Sequence, residues 1–187
     1  MRTVRVPVGS MMNTILPGDH LAIQRSFGGI ERGSLVVFQY PGDSTYYLAR
    51  VVGLPNETIQ MRGHTVYINQ QPLDEQRVLA RELNVLQPLQ ELSSEGKGSY
   101  RVFYTQPPIE DEAGWPEGAR FGTREPFRLP ADNYFVMGDN RDNTLDSRYR
   151  GAVPRNLIWG TASIIYYSQA MYGDEGIRWD RIFKRVH

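Results

Sequence analysis

The sequence predicts a mainly β protein, and three features of the chain carry that prediction. Short β-branched and aromatic runs recur along it, and each run is stopped by glycine or proline. The 187 residues include 18 glycines and 12 prolines, which suits a fold rich in turns. Helical patterns are scarce, apart from a short turn predicted over residues 180–186. We therefore expect an all-β sandwich or barrel. The predicted strands are residues 34–40, 46–54, 65–69, 100–104, 133–137 and 161–167.

The polar segment between the third and fifth predicted strands differs in character from the rest of the chain. Residues 70–130 are rich in Glu and Gln, and we interpret them as an inserted, more variable subdomain. The β-sheet core is then discontinuous and consists of residues 1–69 and 131–187. Within the insertion, residues 73–92 are the best helix candidate, although Pro88 interrupts the pattern.

Composition excludes several classes of function. Lys+Arg and Asp+Glu are equal at 21 each, so nothing favours a nucleic-acid partner bound through phosphates. The chain has no cysteine, which excludes disulfides and a cysteine nucleophile. Its histidines, His20, His64 and His187, have no zinc-site spacing, so we expect no metal and no cofactor. No run of about 20 apolar residues is present to span a bilayer.

The first string whose residues could carry out chemistry lies near the amino terminus. Residues 7–19 read PVGSMMNTILPGD, with Ser10 between a glycine and a methionine. Gly9 permits close backbone approach, and the backbone N–H of Ser10 could then point at a developing oxyanion. Serine also has a simpler role as a hydroxyl that hydrogen-bonds within a turn. This string alone leaves both interpretations open.

Two further strings follow. Residues 46–57 read YYLARVVGLPNE, a pattern typical of a buried strand that ends at Gly53 and Pro55. Residues 134–149 read YFVMGDNRDNTLDSRY, a strand that runs into Gly138 and then a dense polar loop. A calcium loop is one interpretation of such oxygen density. However, the glycine precedes the acidic residues, two arginines lie among them, and the terminal glutamate is absent. A charge-paired loop beside an active site fits better.

In this order and at these intervals, the three strings resemble the conserved boxes of bacterial type I signal peptidases, also called leader peptidases. The resemblance runs from Val6 to about Ile165 and is most specific over MGDNRDN and DSR, residues 137–143 and 146–148. It implies a signal-peptidase-like β-sheet core and a serine endopeptidase with a Ser–Lys dyad. The implied reaction removes signal peptides from exported proteins after small residues (Ala-X-Ala).

The same resemblance implies a location and partners. The family acts at the outer face of the bacterial cytoplasmic membrane, so the implied partners are the signal peptides of exported preproteins and the membrane. The first string begins only a few residues after Met1. We therefore expect the native form to carry an upstream membrane-anchoring segment.

The resemblance also assigns roles to positions in this sequence. Ser10 matches the nucleophile, and Ala49 occupies the position of the general-base lysine. Thr144 matches the hydroxyl that orients that lysine. Val8 falls where some members have a serine that completes the oxyanion hole, and valine has no hydrogen to donate. The supporting positions are Asp146, Ser147 and Arg148, and the positions that shape the apolar substrate pockets are Val6, Met11, Tyr47 and Leu48.

Ala49 raises the question of activity, because a hydroxyl is a poor nucleophile until a base takes its proton. The only lysines, Lys97 and Lys184, lie outside the three strings. We therefore expect no useful peptidase activity from the chain as written. Either a lysine was deliberately replaced, which the intact surroundings of Ala49 favour, or the chain is a natural relative that binds signal peptides without cutting.

An alternative from a neighbouring class is a repressor-type self-cleaving protease, which also uses a Ser–Lys dyad in a β fold. Such a protein would normally carry a DNA-binding domain and would lack the GDNRDN string.

Overall fold

The computed structural model describes residues 2–25, 29–79, 100–105, 118–123, 125–171 and 176–186. In these ranges the chain is mainly β, as predicted, with one four-residue α-helix and three short 3₁₀ turns. The elements are β1 (Arg2–Arg5), β2 (Asp19–Gln24), β3 (Leu35–Phe38), β4 (Tyr47–Gly53), β5 (Thr58–Arg62), β6 (Thr65–Ile68), β7 (Gln71–Pro72), β8 (Gln76–Leu79), β9 (Arg101–Tyr104), β10 (Phe127–Arg128), β11 (Asn133–Met137), α1 (Ser147–Arg150), β12 (Val153–Pro154) and β13 (Ile158–Ser168), with 3₁₀ turns at Arg141–Asn143, Arg155–Leu157 and Trp179–Arg181.

A seven-stranded sheet forms the main layer, in the order β1-β2-β13-β3-β4-β11-β12. Every neighbouring pair in it is antiparallel. Register shifts interrupt β13 and β11, and such bulges bend a strand and increase its twist. The sheet is curled. As a result, the segment that follows β1, at one edge of the sheet, contacts the segment that follows β11, near the opposite edge. This closure brings the first and third sequence strings together.

A second, four-stranded sheet has the order β10-β5-β6-β7 and covers part of the main sheet. Its apolar side chains pack against β4 and β11, and Gly53 lies where the two sheets meet. A Cβ at Gly53 would lie 2.8 Å from Leu129 Cδ1, so the layers approach too closely there for a side chain. The buried cluster between the sheets comprises Val52, Ile59, Met61, Val66, Ile68, Leu129, Phe135 and Met137.

The helix predicted over residues 73–92 is wrong where the structure describes it. Residues 76–79 form β8, which pairs in parallel with β9, and residues 80–92 lie outside the described residues. Strand pairing with a segment 25 residues away decided this local structure. A pattern confined to residues 73–92 contains no information about that partner.

All six predicted strands are present, and the largest difference is at β13, which begins three residues before the predicted start. The terminal turn predicted over residues 180–186 is present in part, as the 3₁₀ turn Trp179–Arg181 and the turn at residues 182–183. The insertion over residues 70–130 stays a prediction. Its strands β7 and β10 hydrogen-bond to β6 and β5 of the flanking segment.

Candidate active site

Ser10 lies in a tight turn a few residues after β1, which ends at Arg5. The turn is closed by hydrogen bonds from the Met12 N–H to the Gly9 carbonyl (3.0 Å) and from the Ile15 N–H to the Met11 carbonyl (2.8 Å). Ser10 is half-buried. Within the described residues, neither its N–H nor its hydroxyl makes a hydrogen bond, whereas its carbonyl accepts two. The backbone is therefore held while both donor groups stay available to a bound peptide.

The residues that hold this turn lie in the loop after β11, which we call the acidic loop (residues 138–144). The Asn140 N–H donates to the Ser10 carbonyl (3.1 Å), and the Asn140 side-chain amide donates to the Gly9 carbonyl (3.0 Å). The Asp139 N–H points at the Met11 sulfur at 3.4 Å. Asn140 thus holds two successive carbonyls of the turn over residues 9–15, which we call the nucleophile turn after the role predicted for Ser10.

Thr144 also contacts the turn. Its hydroxyl lies 2.7 Å from the Asn140 carbonyl and 3.1 Å from the Ser10 carbonyl, and it donates toward both. A hydroxyl that donates its hydrogen still has lone pairs to accept another hydrogen bond. Thr144 is therefore placed beside Ser10, the predicted nucleophile, with acceptor capacity left for an ammonium group.

Ala49 lies in β4, opposite Val36 of β3. Only 3% of the surface of Ala49 is exposed. Because successive side chains of a strand point to opposite faces, Ala49 shares a face with Tyr47, and Leu48 points the other way. The cluster around Ala49 includes Val36, Phe38, Tyr40, Val51, Tyr134 and Val136, with Tyr47 packed against it. A longer side chain at position 49 would extend into apolar and aromatic surroundings.

The four predicted pocket residues divide between the two faces of the sheet. Val6 and Met11 are buried in one cluster, and Leu48 packs against the same cluster. Tyr47 packs instead in the cluster that contains Ala49. The structure therefore brings three of the four together and places Tyr47 beside the position expected for the base.

The strand that carries Ala49 is tied to the acidic loop by the next residue. The Arg50 guanidinium binds the Asp139 carboxylate through two hydrogen bonds of 2.8 and 2.6 Å, and both side chains are buried. Arg50 also donates to the Gly33 carbonyl (2.7 Å), and its guanidinium lies 4.3 Å from the Tyr100 ring centroid. Bidentate charge-assisted pairs set geometry as well as adding energy. The acidic loop therefore contacts the elements that carry both Ser10 and Ala49.

Asp146 and Arg148 form a charge-assisted pair with each other. The Arg148 Nε and Nη2 atoms each lie 2.8 Å from an Asp146 oxygen, and Arg148 Nη2 also reaches the Arg141 carbonyl (2.6 Å). Asp146 accepts the Gly138 N–H as well (3.0 Å). Burial alone would lower the pKa of Arg148, but the adjacent Asp146 carboxylate raises that pKa above its ordinary value. Ser147 accepts the Val136 N–H (3.0 Å) and so holds α1 against β11.

Sequence reasoning missed four residues that organise this region: Arg50, Glu75, Asp139 and Asn140. Three of them lie inside the strings already singled out. The available signal was the presence of charged and amide side chains within those strings. Glu75 lies in the predicted insertion, and nothing in the local sequence marks it. Its partner is Arg141 of the acidic loop, with both side chains fully buried.

The described residues include no group of three or more His, Asp or Glu side chains arranged to hold a metal ion. His64 stacks on Tyr104 at 3.8 Å between ring centroids, and burial lowers the pKa of His64.

In the parts of the chain that are described, no helix is long and apolar enough to cross a membrane.

Comparison with known proteins decides the family. A family model described as "Signal peptidase, peptidase S26" matches residues 1–167. The chain belongs to the signal peptidase family. This membership confirms the family that the three strings predicted, and with it the class of enzyme, a serine protease.

Two individual relatives known by sequence agree with that assignment. The chain is 30% identical to a signal peptidase I of Leptolyngbya laminosa over 91% of its own length and 71% of the relative's. It is 30% identical to a signal peptidase I of Bacillus amyloliquefaciens, over 84% of this chain and 69% of that one. A crystal structure of a signal peptidase I from Enterococcus faecalis V583 matches with a TM-score of 0.47 and 29% identity, covering 73% of this chain and 98% of that one.

Proposed function

We propose that this signal peptidase family member binds the signal peptides of exported preproteins, with Ser10 at the scissile bond and position 49 as the site of the general base. The observation that carries the proposal is the state of Ser10. Its carbonyl is held by the acidic loop, while its N–H and hydroxyl stay without partners in the described residues. A serine with only a turn-forming role would use its hydroxyl within the turn.

The proposed chemistry needs a lysine at position 49. The Ser10 oxygen bonds to the scissile carbonyl carbon as its proton passes to the lysine amine, and the carbonyl oxygen becomes negative. The Ser10 N–H donates to that oxyanion. The lysine then gives the proton to the leaving amine as the C–N bond breaks, and water hydrolyses the resulting ester. Alanine cannot take the proton, so the chain as written binds its substrate without useful cleavage.

The surroundings of position 49 suit such a base. A lysine acts as a base near neutral pH only when its pKa is lowered, and desolvation lowers it. The Ala49 cluster is apolar and aromatic, which supplies that desolvation. Thr144 carries a hydroxyl with acceptor capacity beside Ser10, which suits an orienting role.

The oxyanion site has one clear backbone donor and no side-chain donor from Val8. Val8 is 57% exposed and apolar, so its side chain contributes no hydrogen bond to the oxyanion. We propose that oxyanion stabilisation in this chain depends on the Ser10 N–H.

We propose that substrate binds in an extended form along β1. This strand is an edge of the seven-stranded sheet, and an edge presents unpaired backbone groups to which a peptide can add. In an added strand, alternate side chains face the protein. They would meet the wall formed by Val6, Met11 and Leu48, which pack in one cluster. We propose that this wall accommodates only small side chains. We propose that this reaction takes place at the outer face of the bacterial cytoplasmic membrane, as the family resemblance implies.

The decisive experiment restores the base. We expect Ala49→Lys to cleave a signal-peptide substrate in detergent, with a gain of at least about 10²–10⁴-fold over the chain as written, the usual contribution of general-base assistance. The activity of Ala49→Lys should fall as pH decreases, because protonation of the lysine removes the base.

Two controls accompany that assay. Adding Ser10→Ala to Ala49→Lys should abolish the restored cleavage, and Thr144→Val should reduce it while leaving peptide binding unchanged. Full activity in the unmodified chain would show that another group acts as base. A folded but inert Ala49→Lys protein would favour a signal-peptide-binding relative without catalysis.

Binding selectivity provides a separate test that needs no catalysis. The chain as written should bind an extended peptide containing Ala-X-Ala more tightly than the matched peptide with Phe at both alanine positions. The physical reason is the closely packed wall of Val6, Met11 and Leu48. Fluorescence anisotropy with labelled peptides measures both affinities, and equal values would contradict the proposed groove.

A further inference from the structure

The strand β9 of the predicted insertion lies between β8 and the acidic loop. On one side it pairs with β8 over residues 101–104. On the other side Phe103 forms a parallel bridge with Asn140, and the Phe103 N–H donates to the Asp139 carbonyl at 2.7 Å. Asn140 is the residue that holds the carbonyls of Gly9 and Ser10. One residue therefore separates the insertion from the nucleophile turn.

A buried ion pair reinforces this contact. The two Arg141 terminal nitrogens bind the two Glu75 oxygens at 2.9 and 2.6 Å, and neither side chain is exposed. Arg141 also donates to the Gly138 carbonyl (3.2 Å) and to the Tyr104 hydroxyl (3.3 Å). Its guanidinium thus joins the residue before β8, the end of β9 and the start of the acidic loop.

A third contact extends the attachment to the far side of the loop. The Thr105 N–H donates to an Asp142 carboxylate oxygen at 2.7 Å, and the Thr105 hydroxyl donates to the same oxygen at 3.1 Å. The insertion therefore contacts the acidic loop at three residues: residue 139 through its backbone, residue 141 through the buried ion pair, and residue 142 through its carboxylate.

We propose that β8 and β9 act as a clasp that sets the conformation of the acidic loop, and that Glu75 is a positioning residue for Ser10. The nucleophile turn takes its carbonyl partners from Asn140 and Thr144, so a shift of the loop displaces Ser10 relative to position 49. Misplacement by about 1 Å is enough to cost an enzyme a large factor in rate. The catalytic consequence of the clasp rests on the proposed function, but the clasp itself does not.

The test replaces the pair by apolar residues of similar length, Glu75→Met with Arg141→Met. Replacing both members of a buried pair often preserves the fold, whereas removing one leaves an unpaired charge. The control is Arg32→Met with Glu57→Met, which removes a partly exposed ion pair of the same 2.6 Å length. Arg32 precedes β3 and Glu57 precedes β5.

Amide hydrogen exchange in the chain as written reads the clasp directly. We expect exchange at the Asn140 amide to accelerate by roughly tenfold or more in the clasp variant and to stay unchanged in the control, because local opening determines exchange. Unchanged Asn140 exchange in a folded clasp variant overturns the proposal. If the double variant does not fold, Glu75→Gln keeps the side-chain volume and is measured in the same way, with the same deciding outcome.

Kinetics in the Ala49→Lys background add a readout that a merely structural role would not move. The clasp variant should lower kcat and leave KM nearly unchanged, because its substitutions do not touch Val6, Met11 or Leu48. An equal fall of kcat in the control would overturn the positioning role. If Ala49→Lys is inert, the proposed function fails, and the exchange result still decides the clasp.

Discussion

Ser10 owes its position to contacts of its carbonyl with the acidic loop, and Gly138 lies where that loop has no space for a side chain. A Cβ placed on Gly138 would lie 2.7 Å from the Ser10 carbonyl and would also overlap the Thr144 side chain. Both neighbours are themselves held by hydrogen bonds, so neither is free to move away. Glycine at this position is therefore a requirement of close approach.

We expect Gly138→Ala to destabilise the protein by about 1–3 kcal/mol, the usual cost of overpacking a site that cannot relax. Urea unfolding of the chain as written measures this change. Gly29→Ala is the matched control, because a Cβ there meets nothing within 4 Å. Equal unfolding midpoints for Gly138→Ala and the unmodified chain would contradict the close packing of the nucleophile turn.

At this scale, sequence reasoning named candidates where residues lie in contiguous strings. Ser10, Ala49 and Thr144 were identified as candidates because each sits at a defined place in a distinctive run. Glu75 was missed, because its partner Arg141 is 66 residues away and no local pattern marks a residue whose environment is built by a distant strand.

Among the elements, the end of the β3–β4 hairpin is tied to α1 by three side chains. The Tyr47 hydroxyl donates to Asp43 (2.7 Å), and Arg150 donates to both Asp43 (2.9 Å) and the Tyr47 hydroxyl (2.7 Å). The Arg150 guanidinium also lies 4.2 Å from the Tyr40 ring centroid. Tyr40 and Tyr47 belong to the surroundings of Ala49, so this contact closes one side of the position 49 cluster.

This hairpin contact should respond to acid. Hydrogen bonds from the Thr45 N–H, the Tyr47 hydroxyl and Arg150 lower the pKa of Asp43 well below its ordinary value of 3.8. A carboxylate whose pKa is lowered in the folded state stabilises the protein above its unfolded pKa, and that stabilisation is lost as pH falls below it.

We therefore expect the chain as written to have a higher Tm than Asp43→Asn at neutral pH, with the difference shrinking below about pH 4. Thermal unfolding across a pH series measures it. Asp74→Asn, which alters an exposed carboxylate, controls for the loss of one surface charge. A difference between Asp43→Asn and the unmodified chain that does not depend on pH would contradict the assigned contact.

The elements also show where local patterns fail. The six predicted strands carry continuous apolar or alternating runs, and burial on the sheet preserved each of them. Residues 76–79 also mix polar and apolar side chains, and this short pattern suits a helix as well as a strand. Parallel pairing with β9 made them a strand, which illustrates how the partner strand decides β structure.

Across the whole molecule, the two ends of the described chain meet at Asp19. The Asp19 carboxylate is fully buried and accepts from Arg181 Nη2 (2.6 Å), the Ser168 hydroxyl (2.6 Å) and, at 3.4 Å, Arg178. It also accepts the Leu16 N–H (2.8 Å), which belongs to the segment just after the nucleophile turn. The C-terminal segment therefore helps to fix the turn that follows β1.

We expect Arg181→Met to lower the free energy of unfolding by about 3 kcal/mol, the lower end for breaking a buried pair, because Ser168 and Arg178 remain beside Asp19. Arg178→Met should cost clearly less, since its contact with Asp19 is longer and its side chain is more exposed. Denaturant unfolding of both variants measures the two values. The reverse order would show that Arg178, and not Arg181, is the main partner of Asp19.

The sequence by itself determined the mainly β class, six of the strands, the family, and Ser10 with Ala49 as candidates. These follow from short-range patterns and contiguous strings, which need no knowledge of distant partners. Only the tertiary structure decided which face of β4 Ala49 occupies, and that Tyr47 and Leu48 pack in different clusters. It also decided that residues 76–79 form a strand and that Glu75 pairs with Arg141. Each of these depends on strand register and on side chains brought together from segments far apart in sequence, and such contacts exist only in the folded chain.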